Sequence, residues 1–199
     1  MPEFNPKTFL EDLRESSSDS DIAKKLQSLE PVLSQKRYST EDKNFDLRES
    51  LVEYIMWNLE ESDLPILRIL AEIEISYTRN THYHCNLADV VHCLYELGHK
   101  EDVIYAYEVR CGLRNMDAAS ATYQEILTMR TPKDEMMSYL NSKVDSDPVF
   151  LDRYPDIFKE TEFAYEFPVY ETEDYFNQSL LSYYFSNDPE RKEKFYQQK

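Results

Sequence analysis

The chain has 199 residues, 41% hydrophobic and 14% aromatic, with 39 acidic against 22 basic side chains for a net charge of −17. That length suits one domain with its own core, and the apolar content is enough to offset chain entropy, which excludes global disorder. A field of this sign repels phosphate and anionic headgroups, so no direct nucleic-acid or membrane contact is expected, and a basic protein is the favoured partner.

The N-terminal run MPEFNPKTFLEDL has no basic flank leading into an apolar stretch, and no segment approaches the ~18 apolar residues that cross a bilayer. The expected location is the cytoplasm. Cys85, Cys93 and Cys111 form an odd, sparse set and are expected as reduced thiols. The two glycines, Gly98 and Gly112, build none of the phosphate loops, dinucleotide turns or nucleophile elbows that depend on glycine. One domain is expected over 1–199, with N-terminal helices in 1–43, a core of helix hairpins in 44–143 and an acidic, aromatic segment in 144–199.

Asn5 before Pro6 predicts an N-cap with proline in the first turn and a short helix through KTFLEDLRES. Asp19 or Ser20 caps a second helix, DIAKKLQSLEPVLSQ, with Ile22, Leu26 and Leu29 at helical spacing and a break or kink at Pro31. Residues 44–60 set Leu47, Leu51, Tyr54, Ile55 and Leu59 on one stripe with Val52, Met56 and Trp57 beside it, a surface wide enough for a central helix. Residues 64–77 have Pro65 near their start and apolar residues on two sides, predicting a buried helix paired with the previous one.

Leu87, Val90, Val91, Leu94 and Leu97 predict a helix over 87–97, closed by Gly98 as a left-handed cap. Further helices are expected over 101–111, through Val103, Ile104, Tyr107 and Cys111, and over 116–129, through Met116, Ala119, Tyr123, Ile126 and Leu127. Another, over 132–142, opens at Thr131-Pro132-Lys133-Asp134 and carries Met136, Met137 and Leu140. Loops this short force antiparallel neighbours, so the expected class is all-α: stacked antiparallel helix hairpins, as a short solenoid or an irregular bundle.

Within this region LYELGHKEDVIYAYEV has a Leu-Gly turn, Val103 at a small-residue position and Tyr107 at an aromatic one. It resembles a hairpin of helical-repeat proteins of the HEAT or tetratricopeptide kind. The resemblance covers roughly residues 45–140 and implies a stacked-hairpin fold and a binding surface.

Beyond Asp147-Pro148 the chain turns to proline, aromatics and acid, with DPVFLDRYPDIF as a short helix or turn. In KETEFAYEFPVYETEDYF, Phe163, Tyr165, Phe167 and Val169 alternate with Glu162, Ala164, Glu166 and Pro168. That two-residue period predicts an extended segment packed through Phe163, Tyr165 and Phe167. Helical spacing returns in TEDYFNQSLLSYYF through Tyr175, Phe176, Leu180 and Tyr183, and Asp188 can cap a last helix.

The strongest lead toward chemistry is HYHCNLADVVHC, with His82, His84, Cys85, His92 and Cys93. Imidazole and thiolate ligate zinc, but a helical ligand pair sits three or four positions apart, whereas the adjacent His92 and Cys93 point ~100° apart. The expectation is a polar loop followed by a helix, with His92 on the face of Asp89, Tyr95 and Glu96, Cys93 near the apolar boundary, and no metal. The neighbourhood is neutral to acidic and does not lower a thiol pKa. Carboxylate pairs such as Glu60 and Glu61 read as solvated faces. No catalytic residue, cofactor or enzymatic activity is expected.

Two readings of the 159–176 stretch stand. Its rings close the end of the helical stack with the carboxylates in water, or it also receives a partner. Tyrosine offers large contact area at low entropy cost, and carboxylates around it accept charge-assisted hydrogen bonds from arginine and lysine. The candidate partner-binding residues are Glu162, Glu166, Tyr170, Glu171, Glu173, Asp174 and Tyr175. In size and charge the chain is similar to the acidic immunity proteins of bacterial toxin systems, which implies neutralisation of a basic toxin domain by occlusion. A helical-repeat adaptor and an acidic mimic of nucleic acid are the alternatives.

Overall fold

Asn5 opens the first helix, α1 (Pro6–Arg14): its side chain accepts from the Lys7 and Thr8 amides at 3.0 and 3.3 Å. Pro6 follows at a position whose amide has no helical partner to lose. A computed structural model describes residues 4–35, 40–81 and 86–166. The second helix, α2 (Asp19–Leu26), opens ahead of both caps expected from the sequence, Asp19 and Ser20, because the Ser18 hydroxyl is the cap and accepts from the Asp21 amide. It also ends sooner. A 3-10 turn at Gln27–Leu29 leads to Pro31, and the chain then enters a two-stranded antiparallel hairpin, β1 (Leu33–Gln35) with β2 (Thr40–Asp42), in the register Leu33↔Asp42.

That hairpin was not legible in the sequence. The rest is all-α. After it come α3 (Phe45–Trp57), α4 (Leu64–Thr81) and α5 (Leu87–Leu97), the last closed by Gly98 at φ 74°, in the left-handed region that glycine enters without a Cβ clash. Helix α1 packs on α3, α3 on α5, α2 on α4 and α4 on α5. Fully buried Leu10, Leu26, Leu51, Ile55, Leu67, Leu70, Leu87 and Val90 fill the space between them. Each such side chain contributes about 1.5–3 kcal/mol relative to exposure.

The expected helix over 101–111 is composite. A 3-10 turn at Lys100–Asp102 opens α6 (Val103–Tyr107), which widens into a π-turn over Glu108–Gly112, with the Leu113 amide bonded back to the Glu108 carbonyl at 2.9 Å. The helix expected over 116–129 is broken. Only α7 (Met116–Ser120) and a 3-10 turn at Gln124–Thr128 form, because Arg110 Nη1 takes the Ala119 and Thr122 carbonyls at 2.5 and 2.7 Å. A continuous helix would need those acceptors for its own amides.

Then follow α8 (Lys133–Ser146), α9 (Phe150–Arg153) and α10 (Ile157–Glu166). The extended segment expected from residue 163 is corrected here, since the chain is helical through Glu166. Ile157, Thr161 and Ala164, spaced by four and three, are the fully buried face of α10 against the 124–128 turn. That helical stripe overrides the alternation of rings. Among the described residues no helix is long and apolar enough to cross a membrane.

Candidate partner-binding site

Helix α10 carries the described part of the predicted partner surface. Its inward stripe leaves Glu162, Phe163 and Glu166 facing outward, and Phe163 is 50% exposed. Glu162 and Glu166 lie four apart, one above the other on the helix surface, with the ring of Phe163 beside them. Together with Lys159 and Glu160 they border a shallow hollow of about 410 Å³. The Tyr165 hydroxyl donates to the Thr131 carbonyl at 2.5 Å, tying the end of the helix to the turn before α8. Phe163 is therefore not the buried anchor its alternation suggested, whereas Tyr165 packs partly buried against the core as well as donating through its hydroxyl. Tyr170, Glu171, Glu173, Asp174 and Tyr175, like Phe167, lie outside the described residues.

The histidine and cysteine cluster divides. His82, His84 and Cys85 lie outside the described residues, whereas His92 and Cys93 sit on α5 with no exposed surface. The expectation that His92 lies on a polar face is corrected: α5 is covered on nearly every side, and Ala88, His92, Cys93 and Tyr95 are buried along with Leu87, Val90, Val91 and Leu94 of its predicted stripe. Burial pushes the His92 pKa down to about 4, with a counteracting hydrogen bond to the Ala88 backbone. Its ring meets Tyr123 edge-on, centroids 6.4 Å apart. Burial, reinforced by Asp89 and Glu96, raises the Cys93 thiol well above its ordinary value, so it is no thiolate at neutral pH. Among the described residues no group of three His, Cys, Asp or Glu side chains stands close enough to hold a metal.

A second feature escaped the sequence. Helix α4 turns Glu72, Ser76 and Asn80 outward at intervals of four, and this polar ridge separates two depressions. On one side α6 runs beside α4 through three polar rungs. Arg68 grips Asp102 at 2.7 and 3.2 Å, Tyr105 donates to Glu72 at 3.3 Å, and Arg79 pairs with Glu108. The rungs advance together along both helices, so α4 and α6 are parallel. Below them a cleft of about 560 Å³ holds Arg79 and Arg153 together with Glu72 and Glu108, and is close to neutral.

On the other side, α2, the hairpin and α4 enclose a groove of about 500 Å³. Ile69, Ile73 and Tyr77 form its floor, Pro31 and Leu33 its far wall, and Glu30 and Glu72 stand among its lining, which among the described residues includes no lysine or arginine. A buried ion cluster holds that wall in place. Arg48, with no exposed surface, pairs with Asp42 of β2 at 2.6 Å and Glu74 of α4 at 2.7 Å, donates to the Leu29 carbonyl at 3.0 Å and lies 5.5 Å from the Tyr77 ring centroid. Burial opposes the Arg48 charge, but Glu74 and Asp42 outweigh it and raise its pKa. The available signal was the ridge itself, a polar triplet inside a helix otherwise apolar on two sides. Arg48, set between Leu47 and Leu51, gave no sign of its burial.

Comparisons with protein-family models, curated proteins and solved structures found no match.

Proposed function

We propose that the chain binds a basic protein and acts by covering it, in the manner of an immunity protein that occludes a toxin domain. The single observation that carries this reading is the outer face of α10, where a half-exposed aromatic ring, Phe163, sits beside Glu162 and Glu166 on a helix whose other side is locked into the fold. A net charge of −17 supports it by steering a cationic partner toward the surface. Charge governs the encounter, and the ring governs residence once water is excluded around it. The parallel pairing of α4 with α6 also favours a helical-repeat adaptor, which would hold its partner along the α4 ridge instead.

Affinity capture from the native host, followed by binding kinetics on the captured protein, tests this. Reversing Glu162 and Glu166 to lysine is expected to slow association and flatten its salt dependence, while Phe163→Ala should mainly speed dissociation, costing about 1–3 kcal/mol. A basic partner whose kinetics ignore all three changes places the site elsewhere. The absence of any basic partner removes the reading.

A further inference from the structure

We infer that the outer edge of β1 and the groove beside it receive an extended, basic segment of the protein partner, which adds a third strand to the hairpin. The inference rests on the protein-binding reading above and names where and how such a partner would be read.

The Lys43 amide donates to the Val32 carbonyl at 3.1 Å, and the register pairs Leu33 with Asp42. In an antiparallel ladder bonded and non-bonded pairs alternate, so Val32 and Ser34 face β2 while the N–H and C=O of Leu33 and Gln35 point away from it. An edge of this kind is a template for another strand. Natural edges are blunted by lysine, proline or a covering element, yet Val32 and Leu33 here are 48% and 46% exposed. Leu33 lines the groove against α4, whereas Glu41, Asp42 and Lys43 border another hollow with Phe45 and Asp46, so the groove lies on the β1 side of the hairpin.

Three features select the occupant. Ile69, Ile73 and Tyr77 provide an apolar floor for the alternate side chains of a strand, which point the same way every second residue. Glu30 and Glu72 are the charged side chains among its described lining residues, which favours lysine or arginine at the intervening positions. The Arg48 cluster fixes β2 to α4 through side chains with no exposed surface, so the wall does not need to be ordered on binding. The cleft across the ridge, with Arg79 and Arg153, offers no such preference.

The test uses the full chain, labelled for nuclear magnetic resonance, and three end-capped hexapeptides. One alternates isoleucine with arginine, one alternates isoleucine with glutamate, and one is the arginine peptide N-methylated on the residues that would face β1. The arginine peptide should shift the Leu33, Gln35, Ile73 and Tyr77 signals and slow exchange of the Leu33 and Gln35 amides. The glutamate peptide should leave them unmoved, and N-methylation should weaken binding about tenfold, the loss of one or two backbone hydrogen bonds. Leu33→Lys, at an exposed position, should abolish the shifts with the circular dichroism unchanged. Absence of shifts at the groove, shifts spread over the whole acidic surface, or equal binding of the methylated peptide would each overturn the inference. So would concentration-dependent shifts at the same amides without peptide, which would assign the edge to a second copy of the chain. A native basic partner that binds the Leu33→Lys protein normally but fails with the α10 variants removes the groove and leaves the protein-binding reading standing.

Discussion

Replacing Arg48 by methionine isolates what the buried cluster contributes. The side chains of Arg48, Asp42 and Glu74 have no exposed surface, and the guanidinium is the cation for both carboxylates as well as the donor to the Leu29 carbonyl. Removing it leaves two buried carboxylates without that charge, and breaking a buried ion pair in this way costs about 3–5 kcal/mol. A domain of this size is stable by about 5–15 kcal/mol in total, so the single variant stands near the limit of folding. The triple variant Arg48→Met, Glu74→Gln, Asp42→Asn removes the charges together, and the substituted side chain in β2 would retain an oxygen for the Val32 and Asn44 amides that Asp42 now receives at 2.9 and 3.0 Å. It should recover at least about half of the loss, since neutral groups avoid the desolvation that the lone carboxylates suffer. Urea unfolding followed by far-ultraviolet circular dichroism reads both values. A single variant within about 1 kcal/mol of wild type, or a triple variant no more stable than the single, would refute this account of the cluster.

His92 should make stability depend on mild acid. Its folded pKa of about 4 lies below the ordinary 6.5, so the unfolded chain takes up a proton that the native one refuses, and stability falls as pH drops from 6.5 toward 4. Relative to His92→Gln, wild type should lose about 2 kcal/mol between pH ~7 and pH ~5, with no change above pH ~7. A ring that titrates near 6.5 in the folded protein would refute it. At Gly112, an added Cβ would stand 2.5 Å from Glu108 Oε2 and 3.0 Å from its Cδ. Gly112→Ala should therefore cost about 1–2 kcal/mol, and the same change in a Glu108→Ala background should cost about zero, a coupling that thermal melts of the four proteins would reveal.

Helices that carry their own period and their own punctuation were legible residue by residue. The span 87–97 came from five apolar positions and Gly98, and α1 from Asn5 and Pro6, because caps and stripes are local chemistry. The all-α class followed, since short loops leave few ways to bury such stripes. Where distant side chains compete for backbone acceptors, local signals failed. Arg110 interrupts the 116–129 helix by claiming two of its carbonyls, and no window on that segment alone contains the cause. The alternating rings near Phe163 suggested a strand, yet burial of Thr161 and Ala164 against the 124–128 turn makes a helix, because the packed stripe and not the ring pattern meets the core. His92 reads as polar until α5 is seen to be enclosed. The groove beside β1 depends on Arg48 reaching Glu74 across 26 positions of chain, and a buried charge is specified by what surrounds it, which only the tertiary structure decides.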